Sequence, residues 1–389
     1  MIRFLLYLLV FISFTDLFAQ LPISSTYANT LGATTGFIGF IVGAYSLSNL
    51  FSNVFAGHLV DKNGPKKVMV AGFFVNAIIM VLYALVTSPA QLLAVRLFNG
   101  IAAGVITPAA FTYISLNNRN NRDGQEMAYS GASVGLAAIS GPAFSGIVSA
   151  KFGFETVYIV LAILMAIGTL LTLLLKPAQQ IKHQAVEAKK KEKETTVRDY
   201  IPLLKNKGLI LGFTGAFSLA ASQGVLAYML PLKVEALGYE SHISGMLISI
   251  FGVVAILFFV LPTNRIFDRG RNELLLAIGL LLSASSQTFT GMVDSIPLFI
   301  TSMIIYGSGF ALIFPSMSSL ISRYSPENLR GKAFGLFYGF FSIGSFLGSS
   351  ITGAFNLNPN QGLFSIAIFL VLVSATIIIV SKNTPRKTA

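Results

Sequence analysis

Gly57-His58-Leu59-Val60-Asp61-Lys62-Asn63-Gly64-Pro65-Lys66-Lys67-Val68 is a short charged stretch set between two long apolar runs. Gly57 is read as a point where two helices approach closely. Asp61 is placed to accept hydrogen bonds from backbone N–H groups at a neighbouring helix N-terminus, where the helix dipole favours an anion. Gly64-Pro65 forces a tight turn. Lys62, Lys66 and Lys67 hold the turn on the cytoplasmic side of a membrane.

The flanking runs are typical of the whole chain. Of 389 residues, 54% are hydrophobic and 11% charged, and mean hydropathy is +0.74. Soluble domains carry about a quarter charged residues, so this chain is an integral membrane protein. Each crossing takes roughly 20 apolar residues. Spans are expected at 4–27, 36–59, 68–88, 90–113, 126–149 and 155–175, then at 208–231, 240–262, 273–293, 296–320, 333–355 and 361–381. The hydrophilic stretch 176–207, with Lys189-Lys190-Lys191-Glu192-Lys193-Glu194 at its centre, separates six spans from six. The expected division is a bundle at 1–175, a cytoplasmic linker at 176–207 and a second bundle at 208–389. A charge run of this kind is read first as a solvated linker, with anionic-lipid binding as the lesser reading.

A net charge of +12 raises the question of nucleic acid, but its distribution argues against that partner. With the spans placed as above, 24 of the 27 Lys and Arg fall on one side, leaving Arg96, Lys151 and Lys233. The positive-inside rule accounts for the excess and puts both termini in the cytoplasm. Residues 2–19 resemble a signal peptide, yet the apolar run is long, contains Asp16 and has Leu17 where a small residue is wanted. It is read as an uncleaved first span. There is no Cys and no Trp, which removes disulfide and thiolate chemistry.

The halves repeat at a constant offset of 207 residues. Asp61 falls on Asp268, Lys62 on Arg269, Gly100 on Gly307, Pro108 on Pro315 and Ser115 on Ser322. Gly124 falls on Gly331, Gly141 on Gly348 and Gly146 on Gly353. Such parallel repeats, related by an axis along the membrane normal, place a binding site between them near mid-membrane.

The spacing G-x-L-x-D-x-x-G-x-K-K of the opening stretch resembles the loop between spans 2 and 3 of the major facilitator superfamily. Arg96-Leu97-Phe98-Asn99-Gly100-Ile101-Ala102-Ala103-Gly104 is similar to that family's span 4 motif, with Asn99 where Gln is common. Gly131-Ala132-Ser133-Val134-Gly135 and Gly141-Pro142-Ala143-Phe144-Ser145-Gly146 resemble the span 5 motif of its antiporters, with Ser145 replacing a glycine. Small residues there let helices pack backbone to backbone, and Pro142 removes a donor and bends the helix. The resemblance implies an all-α membrane fold of twelve transmembrane helices in two six-helix pseudo-repeats. It also implies transport by rocking of the two halves, nearest to drug/proton antiporters and metabolite exporters. The Asp61 loop would latch an inner gate, helped by Asp268 and Arg269, with Gly131, Gly135, Gly141, Pro142 and Gly146 gating on span 5.

Two ionisable residues sit deep in spans, Asp16 in the first and Arg96 in the fourth. A charge in hydrocarbon costs at least ~2.5–3.5 kcal/mol and usually faces a cavity or a partner. At 1.5 Å per residue they lie about 18 Å and about 25 Å from the cytoplasmic ends of their helices. An Arg side chain spans that gap if the helices are neighbours. In the family this arginine is implicated in proton coupling; the plain alternative is that Arg96 bonds backbone carbonyls and locks its helix. Asp16 is the candidate proton or cation carrier, against a static cap or salt bridge.

Gln20, Asn49, Asn53 and Gln223 are candidate cavity residues, each balanced against an interhelical hydrogen bond; Asn76 and Gln287 interrupt spans in the same way. His58, His183 and His242 are isolated, and no metal site, catalytic group or cofactor beyond the proton is expected. The reading is a monomeric secondary transporter of a bacterial plasma membrane, in contact with lipid and a small-molecule substrate. Proton-coupled efflux of an amphipathic molecule is preferred to sugar or metabolite import, and a metallophore exporter falls within the efflux class.

Overall fold

Where water is absent, a backbone must satisfy its own N–H and C=O groups, and a run of about 20 apolar residues does so by coiling into a helix. The computed structural model describes residues 2–116, 123–175, 200–260, 271–326 and 329–382. Its first half contains α1 (Ile2–Ala19), α2 (Ser24–Thr30), α3 (Thr35–Asn63), α4 (Pro65–Ala84), α5 (Pro89–Leu116), α6 (Asp123–Phe152) and α7 (Phe154–Leu174). The second contains α8 (Tyr200–Lys205), α9 (Lys207–Ala236), α10 (Ser241–Val260), α11 (Asn272–Met292), α12 (Ile296–Tyr324), α13 (Arg330–Ala354) and α14 (Pro359–Lys382). Among the described residues there is no strand. Among the same residues eleven helices are long and apolar enough to cross a membrane, and up to twelve crossings result when the bent pair α1–α2 is counted as one span.

The repeat appears as matching helix starts. α4 begins at 65 and α11 at 272, α5 at 89 and α12 at 296, α6 at 123 and α13 at 330, each pair 207 apart. Pro108 and Pro315, an equivalent pair, both lie inside their helices.

Three expectations need correction. The first span is not one straight helix over 4–27. It breaks after Ala19 and resumes at Ser24 with a 46° change of direction. Pro22 has no N–H to give the ladder, and Phe18 O, which that N–H would reach, accepts from Leu21 N at 3.3 Å; Ser24 Oγ donates to Gln20 O at 2.5 Å. The charged stretch is also less of a loop than expected. Helix α3 continues to Asn63, and only Gly64 interrupts it, at φ +81. A glycine reaches that left-handed region without strain, and Pro65 opens α4 at its first position. Gly57 is not a close-approach point: it is exposed, and a methyl group there would meet nothing within 4 Å.

Lys66 does more than mark a side. Its Nζ donates to Leu173 O at 2.8 Å and also to Leu175 O, tying the start of α4 to the end of α7. A cation at a helix C-terminus is worth about 0.3–1 kcal/mol. Lys66→Met is therefore expected to destabilise the detergent-solubilised protein by about that much, read as a lower thermal midpoint. Lys67→Met, at an exposed position, should leave the midpoint unchanged.

The halves meet along two seams. On one, α3 faces α13 through Gly36, Gly39 and Gly43 against Gly353 and Ser349, with Ser46 Oγ donating to Ser345 Oγ at 2.9 Å. On the other, α6 faces α10: Gly146 lies against Gly245 and His242, and Ser249 Oγ donates to Ile139 O at 2.7 Å. Tyr228 OH donates to Thr35 O at 2.6 Å, closing α9 on α3 near the Gly32 turn. These contacts gather toward the end that carries the Gly32, Gly153 and Gly238 turns. Toward the Gly64 end contacts thin out: at Gly335 on α13, as at Gly57 on α3, an added methyl would touch nothing within 4 Å.

Candidate functional site

Asp16 near the end of α1 and Gln20 just past it are four apart, and their side chains meet. Arg96 and Asn99, three apart, share a face of α5. Asn76 and Tyr83 come from α4, and Ser24 opens α2. Packing of α1, α4 and α5 brings all of these together inside the first half. Asp16 is fully buried and Arg96 is 6% exposed.

The carboxylate accepts three hydrogen bonds. Gln20 Nε2 donates to Oδ1 at 2.6 Å; Asn76 Nδ2 and Asn99 Nδ2 donate to Oδ2 at 2.8 and 3.1 Å. Asn99 Nδ2 also donates to Asn76 Oδ1 at 2.8 Å. Asn99 Oδ1 accepts from Gln20 Nε2 at 3.1 Å and from Tyr83 OH at 3.4 Å. The guanidinium spends four donors. Nε and Nη2 reach Ile41 O and Val42 O on α3 at 2.7 and 2.9 Å. Nη1 reaches Gln20 Oε1 and Ser24 Oγ at 3.0 and 2.8 Å. An isolated buried charge is very costly, and a hydrogen-bonded network of this kind is what makes two of them tolerable.

Asp16 and Arg96 thus meet through the Gln20 amide rather than directly. Both sequence readings of Arg96 have a structural counterpart, since it bonds two backbone carbonyls and is one side chain from the acid. A ring stack closes the site toward α7: Tyr83 and Tyr158 lie 4.3 Å apart and parallel to within 2°, and Tyr27 OH donates to Tyr83 O at 3.0 Å. On the other flank α6 presses against α1, where a methyl on Gly141 would come within 2.9 Å of Ala19 N. The span 5 motif therefore abuts the helix that carries Asp16. Farther along α6, Gly135 adjoins Ile256, and Pro142 O would collide with any side chain at Gly245; α6 is helical from Asp123 to Phe152 through Gly131 and Pro142.

Of the four candidate cavity residues, Gln20 is only 3% exposed and belongs to the network. Asn49 and Asn53 are half-buried on α3. Asn49 Nδ2 donates to Gly100 O at 3.3 Å, and Asn53 Nδ2 to Asn49 Oδ1 at 2.7 Å. Gln223 is half-buried on α9, a helix otherwise buried along most of its length. The side chain of Asp61, together with Asp268 and Arg269, lies outside the described residues, as do His183 and most of the linker.

In the second half, the positions equivalent to Arg96, Asn99 and Asn76 are Met303, Tyr306 and Ser283. The polar contacts there are neutral: Gln287 Nε2 donates to Ser222 Oγ at 2.9 Å, which lies 3.1 Å from Tyr306 OH. The sequence reading missed Asn99 and Ser24 as site members; the i, i+3 spacing of Asn99 from Arg96 was the available signal. It also left Lys233 without a role, setting it aside only as one of three Lys and Arg outside the cytoplasmic set. Lys233 is 4% exposed, and its Nζ donates to Thr290 O and Gly291 O at 2.8 and 3.1 Å, 3.2 Å from Asp294 Oδ1.

Known proteins agree with this architecture. The chain is 25% identical over 366 residues to an uncharacterized MFS-type transporter of Methanocaldococcus jannaschii, covering 90% of this chain and 92% of that one. It is 23% identical to multidrug resistance protein 2 of Bacillus subtilis, covering 96% and 93%. A solved variant of the nucleoside transporter NupG superposes with a TM-score of 0.80 over 98% of this chain and 99% of that one, at 20% identity, a likeness of fold. The family model for the Major Facilitator Superfamily matches residues 6–252 and 212–389. With those matches covering nearly the whole chain, and with two six-helix halves repeating at 207 residues, this protein belongs to the Major Facilitator Superfamily.

Proposed function

We propose that the protein exports a small amphipathic organic molecule by alternating access, driven by protons that bind Asp16 from outside. The observation that carries this reading is the fully buried Asp16 carboxylate. It is one amide from Arg96, on a span whose break and neighbours both contribute to the site. Intramembrane acids with a nearby cation mark proton relays by default. Export, rather than import, is favoured by the span 5 glycines with Pro142 and by the multidrug resistance name of the Bacillus subtilis relative. The Lys and Arg distribution puts both termini and the Gly64 turn in the cytoplasm. With that orientation the glycine contacts between the halves lie on the outer side, which suits a state that loads cargo from the cytoplasm. Residues 176–207 then link two rocking halves, and the working unit is a monomer in the plasma membrane.

The test uses inverted vesicles, acid inside, with ethidium, rhodamine 6G and a neutral amphipathic dye as probes. Vesicles carrying the protein are expected to accumulate at least one probe. A gradient of one pH unit supplies about 1.4 kcal/mol per proton, or about tenfold accumulation. Nigericin should release the dye. Uptake indifferent to the gradient, or uptake confined to right-side-out vesicles, would contradict this reading.

A further inference from the structure

Every described partner of the Asp16 carboxylate is an N–H donor: Gln20 on Oδ1, and Asn76 and Asn99 on Oδ2. An ionised carboxylate matches all three, because it only accepts. A protonated one does not, since its O–H finds no acceptor among these three donors. The amide polarity is fixed from the other end. A guanidinium has no acceptor, so the Gln20 atom facing Arg96 has to be Oε1, which leaves Nε2 for the acid.

We propose that Gln20 is the positioning residue that transmits the protonation state of Asp16 to Arg96, and through Arg96 to the α3–α13 seam. The inference rests on Asp16 being the proton-binding group. A proton arriving at Oδ2 opposes two donors, and the Asn99 amide there is further engaged by Asn76, Gln20 and Tyr83. A proton on Oδ1 opposes Gln20 alone, so rotation of that one amide accommodates it, at the cost of the Gln20 Nε2 to Asn99 Oδ1 bond. Rotated, Gln20 offers Oε1 to the new O–H and turns Nε2 toward Arg96. Donor then faces donor, and Arg96 must release Gln20.

Two things depend on that grip. Arg96 holds the carbonyls of Ile41 and Val42, between Gly39 and Gly43, whose backbones lie against Ser349, Gly353 and Phe346 of the other half. Arg96 also bonds Ser24 Oγ, which donates to Gln20 O across the 46° break in the first span. Turning one amide therefore loosens both the hinge and the seam. The other titratable or charged groups near this amide are Tyr45 on α3, Tyr83 on α4, Arg96 on α5 and Tyr158 on α7. Helix α6, packed along α1, presents Lys151 only at its exposed end among its described side chains.

The chain has no Cys, so Gly57→Cys and Gly335→Cys carry spin labels without background, at exposed positions with free space around them. Label-to-label distance distributions would be recorded by double electron–electron resonance across about pH 5 to about pH 9. The labelled parent is expected to change its distribution with pH, and Asp16→Asn to abolish that change. Gln20→Leu should reduce it at least about tenfold while the protein stays monodisperse; Gln20→Met, which fills the same length, covers the case that the leucine does not fold. A Gln20 variant that tracks pH like the parent, alongside an unresponsive Asp16→Asn, would overturn the relay and leave the Asp16 assignment standing. A parent indifferent to pH, or an Asp16→Asn protein that still responds, would remove the Asp16 assignment and the relay together.

Discussion

Asp16→Asn is expected to abolish gradient-driven accumulation and to leave passive dye exchange intact. Asparagine has nearly the shape of aspartate but binds no proton in the relevant range. Its amide oxygen can accept from Asn76 and Asn99, the two donors now on Oδ2. Its amide nitrogen then faces Gln20, so the network stays filled in an arrangement resembling the protonated acid. The protein should fold, bind cargo and exchange it. Under a one-unit pH gradient the parent reaches about tenfold accumulation per proton, whereas the variant should settle at equal concentrations. Counterflow, which needs alternation but no net proton movement, separates lost coupling from lost folding. Accumulation at the parental level by Asp16→Asn would show that the coupling proton binds elsewhere.

The second large effect is expected at the seam. A side chain at Gly39 would collide with Ser349 O and come within 2.9 Å of Gly353 Cα, both backbone atoms. Neither can swing aside as a side chain tip would, so α3 and α13 must part. Overpacking of this kind costs about 1–3 kcal/mol, and each 1.4 kcal/mol moves a two-state population about tenfold. Gly39→Leu is accordingly expected to shift the protein away from the state closed at the Gly32 end and to slow counterflow by about tenfold or more. Gly57→Ala is the internal contrast. Nothing lies within 4 Å of that position, so alanine should keep transport and stabilise α3 by up to about 1 kcal/mol. Equal counterflow rates in the two variants would mean that the Gly39 contact plays no part in the cycle.

The crossings and the doubling of the chain were readable from residue order, because hydropathy is a local property and helix starts recur at one offset. Asp16 and Arg96 were readable too, since a charge inside an apolar run stands out against its immediate neighbours. Asn99 and Ser24 were not legible as site members, nor was Gln20 as the link between the charges. A neutral amide in a span looks alike whether it bonds a carboxylate, a backbone carbonyl or a cargo molecule. Lys233 was not legible as a buried cation for a related reason: nothing in its own stretch of chain shows that it reaches the carbonyls of Thr290 and Gly291 near the end of α11. Gly57 erred in the other direction. Its motif suggested contact, and whether a glycine is touched depends on how far the two halves are apart at that end.

Residue order by itself determined the membrane solvent, the number of crossings, the two-fold repeat and the presence of two charges that need partners. Each follows from transfer energies and periodicity along a single stretch of chain. Tertiary structure alone decided that those charges meet through one amide, that the span bends beside Pro22, and that the halves are pressed together through Gly36, Gly39, Gly43 and Gly146. These are relations between atoms tens of residues apart in sequence, and they are set by packing distances of 3 to 4 Å that no local pattern encodes.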